Sequence, residues 1–166
     1  MKYKDAVNQA IQDALTGKDV VCYGQNMAAG SCISGLCKNI QGVNVQNSEN
    51  TLVGVGFGMM LAGQDSIYFM KQLDFLLLGV DHLVNTWNVL SRMALDSSFT
   101  IVAVMADTGT DGPQSSFTRF QELCAVADIH GFIVENENDL KTLREELVKP
   151  GFRVICVRQS RWNEEL

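Results

Sequence analysis

The stretch Phe99-Thr100-Ile101-Val102-Ala103-Val104-Met105 offers almost nothing to water on either face. A strand of that kind cannot lie at a solvated surface and is expected in the middle of a parallel sheet covered on both sides. Similar short apolar runs recur at Val20–Tyr23, Ser66–Met70, Gly131–Glu135 and Phe152–Val157, with a shorter one carrying Val43 and Val45. Helical patterns separate them. Ala6, Val7, Ala10, Ile11, Ala14 and Leu15 give an amphipathic helix over about residues 3–16, closed by Gly17. Thr51 to Gly63, Phe75 to about Leu95, residues 117–127 and Asp139 to Val148 read as further helices. This alternation predicts a three-layer α/β/α fold with a mostly parallel sheet of about six strands.

With 166 residues and no linker or low-complexity segment, the chain reads as one domain spanning 1–166. Its 46% hydrophobic and 19% charged composition suits a globular protein and leaves no membrane span. A net charge of -6 without a local Lys/Arg cluster disfavours nucleic acid as a partner. The cysteines are odd in number, follow no signal peptide and mostly sit in apolar runs, which points to reduced thiols and a cytoplasmic home. Cys32 and Cys37 lack zinc-ligand spacing, and His82 and His130 are too scattered to complete a site, so no metal ligand is assigned.

Parallel α/β sheets bind ligands beyond the carboxyl ends of their strands. The loop after Gly24, the Gln46–Glu49 turn and the Ala106–Ser116 loop are expected there. Glu49 is the distinctive residue among them. It is a lone acid opening a helix, Thr51-Leu-Val-Gly-Val-Gly-Phe-Gly-Met-Met-Leu-Ala-Gly63, that is apolar on every face and so expected to be buried all round. A first-turn acid beside an N-cap such as Ser48 is common for dipole reasons alone. Gly54, Gly58 and Ala62 recur at i, i+4 and i+8 and form a small-residue stripe suited to close approach of another helix, including one from another chain. Gly54-Val55-Gly56-Phe57-Gly58 does not make a dinucleotide fingerprint, because these glycines lie inside a helix rather than in a strand-to-helix turn.

Three ordered motifs carry a resemblance. Asn47-Ser48-Glu49-Asn50 with the Gly-rich helix, Leu73-Asp74-Phe75-Leu76-Leu77-Leu78-Gly79-Val80-Asp81-His82, and Asp107-Thr108-Gly109-Thr110-Asp111-Gly112-Pro113-Gln114 together resemble the pyrimidine-binding domain of thiamine-diphosphate enzymes. The likeness is to the transketolase and 2-oxo-acid dehydrogenase beta-subunit type. It implies that Glu49 hydrogen-bonds a ring nitrogen of the aminopyrimidine and activates the cofactor, which serves as a carbanion sink. Phe75 falls where an aromatic packs on the pyrimidine, with Leu73, Asp74, Gln114 and Ser115 also on the cofactor side. Asp74 equally suits a helix N-cap, and Phe75 a core position. His82 reads as a structural or surface histidine. Leu73 replaces a frequent aromatic, and Ser115 stands where relatives carry a histidine for proton traffic, so the resemblance does not carry over substrate chemistry.

The Gly-Asp-Gly motif that holds the diphosphate and Mg2+ in this family is absent, as is a transketolase-type C-terminal domain. The resemblance therefore implies a diphosphate-binding partner subunit that holds both, in a homo-dimer or hetero-tetramer, and a 2-oxo acid or ketose as substrate. Met1 and the amphipathic first helix suggest a natural start rather than an excised piece. The alternatives are a non-catalytic assembly module derived from such a domain, and the pyrimidine subunit of a two-subunit 2-oxo-acid decarboxylase.

Overall fold

The computed structural model describes residues 1–27, 35–108 and 116–166. Six strands form one sheet in the order β2-β1-β3-β4-β6-β5, from β1 (Val20–Gly24), β2 (Val43–Asn44), β3 (Asp65–Met70), β4 (Ser98–Met105), β5 (Gly131–Val134) and β6 (Gly151–Arg158). Every pairing is parallel. All eight residues of β4 are buried, as its unbroken apolar character requires of a central strand.

Side-chain alternation along each strand feeds two separate cores. Ile67, Phe69, Val102 and Val104 face α1 (Tyr3–Leu15) and α5 (Glu137–Glu146), along with Val7, Ile11 and Leu143. Tyr68, Met70, Ile101 and Met105 face α2 (Glu49–Leu61), the 73–90 region and α4 (Phe120–Ala127). The three-layer α/β/α expectation therefore holds. Asn136 and Asp139 close a capping box on α5, which sets its start ahead of the Asp139 boundary read from the sequence.

The long helix expected over Phe75 to Leu95 forms only in part. A 3-10 turn spans Leu73–Gly79, and a continuous helical run covers 80–90, with a π turn at His82–Thr86 ahead of α3 (Trp87–Leu90). In the first piece the buried residues are Leu73, Leu76 and Gly79, a spacing of three that matches the 3-10 period rather than 3.6. Gly79 lies against α2, where an added Cβ would come within 2.9 Å of Val53 Cγ2. Tertiary fit to α2 thus overrides the helical preference of the leucine run.

Likewise α2 is not buried on all sides within this chain. Leu52, Val53, Gly56, Phe57 and Met60 face the sheet, whereas Thr51, Val55, Gly58 and Leu61 are exposed. Among the described residues no helix is long and apolar enough to cross a membrane.

Candidate functional site

Because all strands run the same way, their carboxyl ends share one edge, and each candidate segment within the described residues emerges there. β2 runs through Val45–Ser48 straight into Glu49, the first residue of α2. Glu49 is only 8% exposed. Among the described residues no hydrogen bond or ion pair reaches its carboxylate. Ser48, at the N-cap, turns its hydroxyl to Thr51 Oγ1 at 2.9 Å and caps no helix N–H. The residue is thus largely covered, and among the described residues its carboxylate is left open to a donor brought by something else.

The second segment follows β3. Leu73 is fully buried, so it supports the turn from within the core and presents no surface to a ligand. Asp74 is not an N-cap: its Oδ1 accepts the backbone N–H groups of Ser116 at 3.1 Å and Phe117 at 3.2 Å, tying this turn to the far end of the loop after β4. Its other oxygen, Oδ2, is buried and has no hydrogen-bond partner. Phe75 is half-buried at the margin of the core on the α2 side. Gln114 and Ser115 lie outside the described residues. The edge therefore brings Glu49 and the Asp74–Phe75 turn to the same side of the sheet, on segments packed against each other through Val53 and Gly79.

His82 hydrogen-bonds Thr86 through Nδ1 at 2.9 Å, and its ring lies against Gly54, where an added Cβ would stand 2.8 Å from Nε2. It is a packing histidine, as expected. Between the ends of β1 and β2 a cleft of about 290 Å³ is lined by Gln25, Asn26, Asn44, Val45, Gln46 and Asn47. Its side-chain amides provide both donors and acceptors without charge.

Asp107, at the start of the loop after β4, ties that loop to the end of β6. It accepts from Ser160 N at 2.8 Å, Ser160 Oγ at 2.7 Å and Arg158 Nη1 at 3.2 Å, and Arg158 in turn reaches Glu135 at 2.7 Å. Partial burial works to raise the Asp107 pKa, but the Ser160 donors and the Arg158 guanidinium outweigh it and hold the carboxyl below its ordinary value. A depressed folded-state pKa adds stability that is fully present above the unfolded value, about 3.9, and is lost as pH falls through the folded one. Asp107→Asn is accordingly expected to lower the melting temperature at pH 7 and to flatten its fall below about pH 4, both read by circular dichroism across a pH series.

Two residues that matter here escaped the sequence reading. Tyr23, near the end of β1, donates its hydroxyl to Leu52 O in α2 at 2.8 Å. Its ring stacks on Tyr68 of β3, with centroids 5.1 Å apart and planes 6° apart. A tyrosine ending an apolar strand gives no sequence signal beyond that of a core aromatic.

Fold and site together define a class: a parallel α/β sheet with a largely covered acid, unpartnered among the described residues, heading a helix at the carboxyl edge. A solved structure of the same build is described as a split gene transketolase, inactive beta4 tetramer. It matches with a TM-score of 0.60 and 14% identity over 98% of this chain. The chain spans about half, 52%, of that protein's chain. The likeness establishes the fold. No family model matches the sequence, and no curated protein matches it.

Proposed function

We propose that this chain is a subunit of a thiamine-diphosphate-dependent enzyme, transketolase-like or 2-oxo-acid-processing, and that it forms the pyrimidine half of the cofactor site with Glu49 as the activating acid. The observation that carries this reading is the state of Glu49: largely covered, without a hydrogen-bond or ion-pair partner among the described residues, and at the edge where parallel sheets bind ligands. The fold shared with a split-gene transketolase chain supports it.

The residues fit the group. An aminopyrimidine presents an exocyclic amine and ring nitrogens, and this edge presents two acceptors, the Glu49 carboxylate and the buried Asp74 Oδ2, which has no hydrogen-bond partner. The half-buried Phe75 ring offers a stacking surface, worth about 0.5–1.5 kcal/mol beyond burial. When bound, the cofactor supplies an electron sink for carbanion chemistry. Glu49 holds a proton at a ring nitrogen, in a setting where the Leu52–Val53 turn behind it excludes water and strengthens that bond.

The diphosphate and its Mg2+ fall to a partner subunit. α2 and the turns beside it expose Val55, Leu61, Leu77, Leu78, Val89 and Met93, an apolar surface of the kind that marks subunit contacts. Calorimetric titration of thiamine diphosphate and Mg2+ into the chain combined with its diphosphate-binding partner tests the reading. Saturable binding and turnover that both weaken in Glu49→Ala are expected. Binding and turnover equal to wild type in that variant refute it.

A further inference from the structure

The sheet side grips α2 by the same kind of bond near each end. At the front, Tyr23 Oη donates to Leu52 O, three residues past Glu49; at the back, Ser97 Oγ donates to Met60 O. Between them Gly56 rests on the Phe99 ring. The front tie is the stiffer anchor. Tyr23 is 3% exposed and its ring lies flat on Tyr68, so the phenol cannot follow the helix if the helix shifts. Burial pushes its pKa well above the ordinary tyrosine value, so the hydroxyl remains a donor throughout the neutral range.

Among the described residues no side-chain hydrogen bond or ion pair ties the Glu49 carboxylate to the chain. Ser48 spends its hydroxyl on Thr51, and no side chain caps the helix start. The aim of the Glu49 carboxylate therefore follows wherever the first turn of α2 is held. Among the described residues, a side-chain hydrogen bond from Tyr23 holds that turn to the sheet.

We propose that Tyr23 is a positioning residue for Glu49, fixing the first turn of α2 on the carboxyl edge so that the acid meets its ligand in register. This rests on the reading of Glu49 given above. Displacements well under the length of a bond contact are enough to reduce the value of an aligned catalytic group.

Tyr23→Phe and Ser97→Ala form a matched pair, since each deletes one hydroxyl-to-carbonyl bond to the same helix. Both are expected to lower the melting temperature by a few degrees. The full chain labelled with 13C at glutamate Cδ, studied by NMR with no cofactor, gives the first readout: the Glu49 resonance moves in Tyr23→Phe and stays at its wild-type position in Ser97→Ala. The complex with the partner subunit gives the second: Tyr23→Phe weakens thiamine-diphosphate binding or turnover about tenfold, while Ser97→Ala matches wild type.

Equal behaviour of the two variants in both readouts, or an unmoved Glu49 resonance in Tyr23→Phe, overturns the proposal and leaves Tyr23 a stabilising residue only. If Tyr23→Phe does not fold, 3-fluorotyrosine at the same position alters donor strength while keeping the ring, and an unmoved Glu49 resonance there overturns it equally. Glu49→Gln run alongside separates the two claims. An unimpaired Glu49→Gln complex defeats the cofactor reading itself, whereas an impaired Glu49→Gln beside an unimpaired Tyr23→Phe defeats only the positioning role.

Discussion

Glu49→Gln is expected to lower turnover of the assembled enzyme by about 10²–10⁴-fold, the range that a positioned acid–base group contributes. Glutamine keeps the shape and one acceptor oxygen, so the side chain still fills the space at the head of α2. What it loses is the charge and the ability to hold a proton at a ring nitrogen. The isolated chain should barely register the change. Among the described residues Glu49 makes no side-chain bond that glutamine would break, and the first-turn acid gains only about 0.3–1 kcal/mol from the helix dipole. A melting temperature within a few degrees of wild type is therefore expected beside the kinetic loss. This combination separates a functional acid from a structural one. A large drop in melting temperature with unaltered turnover would show that the carboxylate serves the fold.

How far the sequence alone reaches is visible in the contrast between β4 and the 73–90 region. Strands apolar on both faces have one common solution, a covered parallel sheet, and β4 takes it. The leucine run at Leu76-Leu77-Leu78 has two, because a helix of period 3.6 and a 3-10 turn of period 3 both bury Leu73 and Leu76. Contact with Val53 at Gly79 selects the second, and no local pattern encodes a contact that far along the chain. The site divides in the same way. Glu49 stands out in sequence because a lone acid heads an apolar helix, a purely local signal. Asp74 looks like a helix cap, yet its partners are the N–H groups of Ser116 and Phe117, more than forty residues on. Tyr23 is hidden for a related reason: its hydroxyl finds an acceptor in another layer. Long-range hydrogen bonds are supplied by topology, and they are what propensity and periodicity leave out.

The glycines of α2 yield the second large effect, and its sign depends on position. The sequence stripe of Gly54, Gly58 and Ala62 suggests the closest approach at those residues, but the tightest contact in α2 lies at Gly56. A Cβ there would sit 2.2 Å from two atoms of the Phe99 ring. Phe99 is fully buried and held edge-on by Phe57 at 5.1 Å and tilted against Phe152 at 5.2 Å, so the ring has nowhere to retreat. Overpacking of this kind costs about 1–3 kcal/mol, occasionally more, against a gain of about 1 kcal/mol from alanine's better helix propensity. Gly56→Ala is thus expected to lose up to about 2 kcal/mol net, a fall of up to roughly 4–8 °C in melting temperature for a chain of this size, and Gly56→Val more. Gly58→Ala should do the reverse. Nothing lies within 4 Å of a Cβ there, and the position is exposed, so propensity acts alone and the isolated chain gains up to about 1 kcal/mol. If the outer face of α2 seats a partner subunit, that gain is accompanied by weaker assembly, because the added methyl stands where the other surface must approach. Melting curves of the isolated chain and sedimentation of the mixture with the partner measure the two effects separately. Destabilisation of the isolated chain by Gly58→Ala as great as that by Gly56→Ala would contradict the packing described for α2.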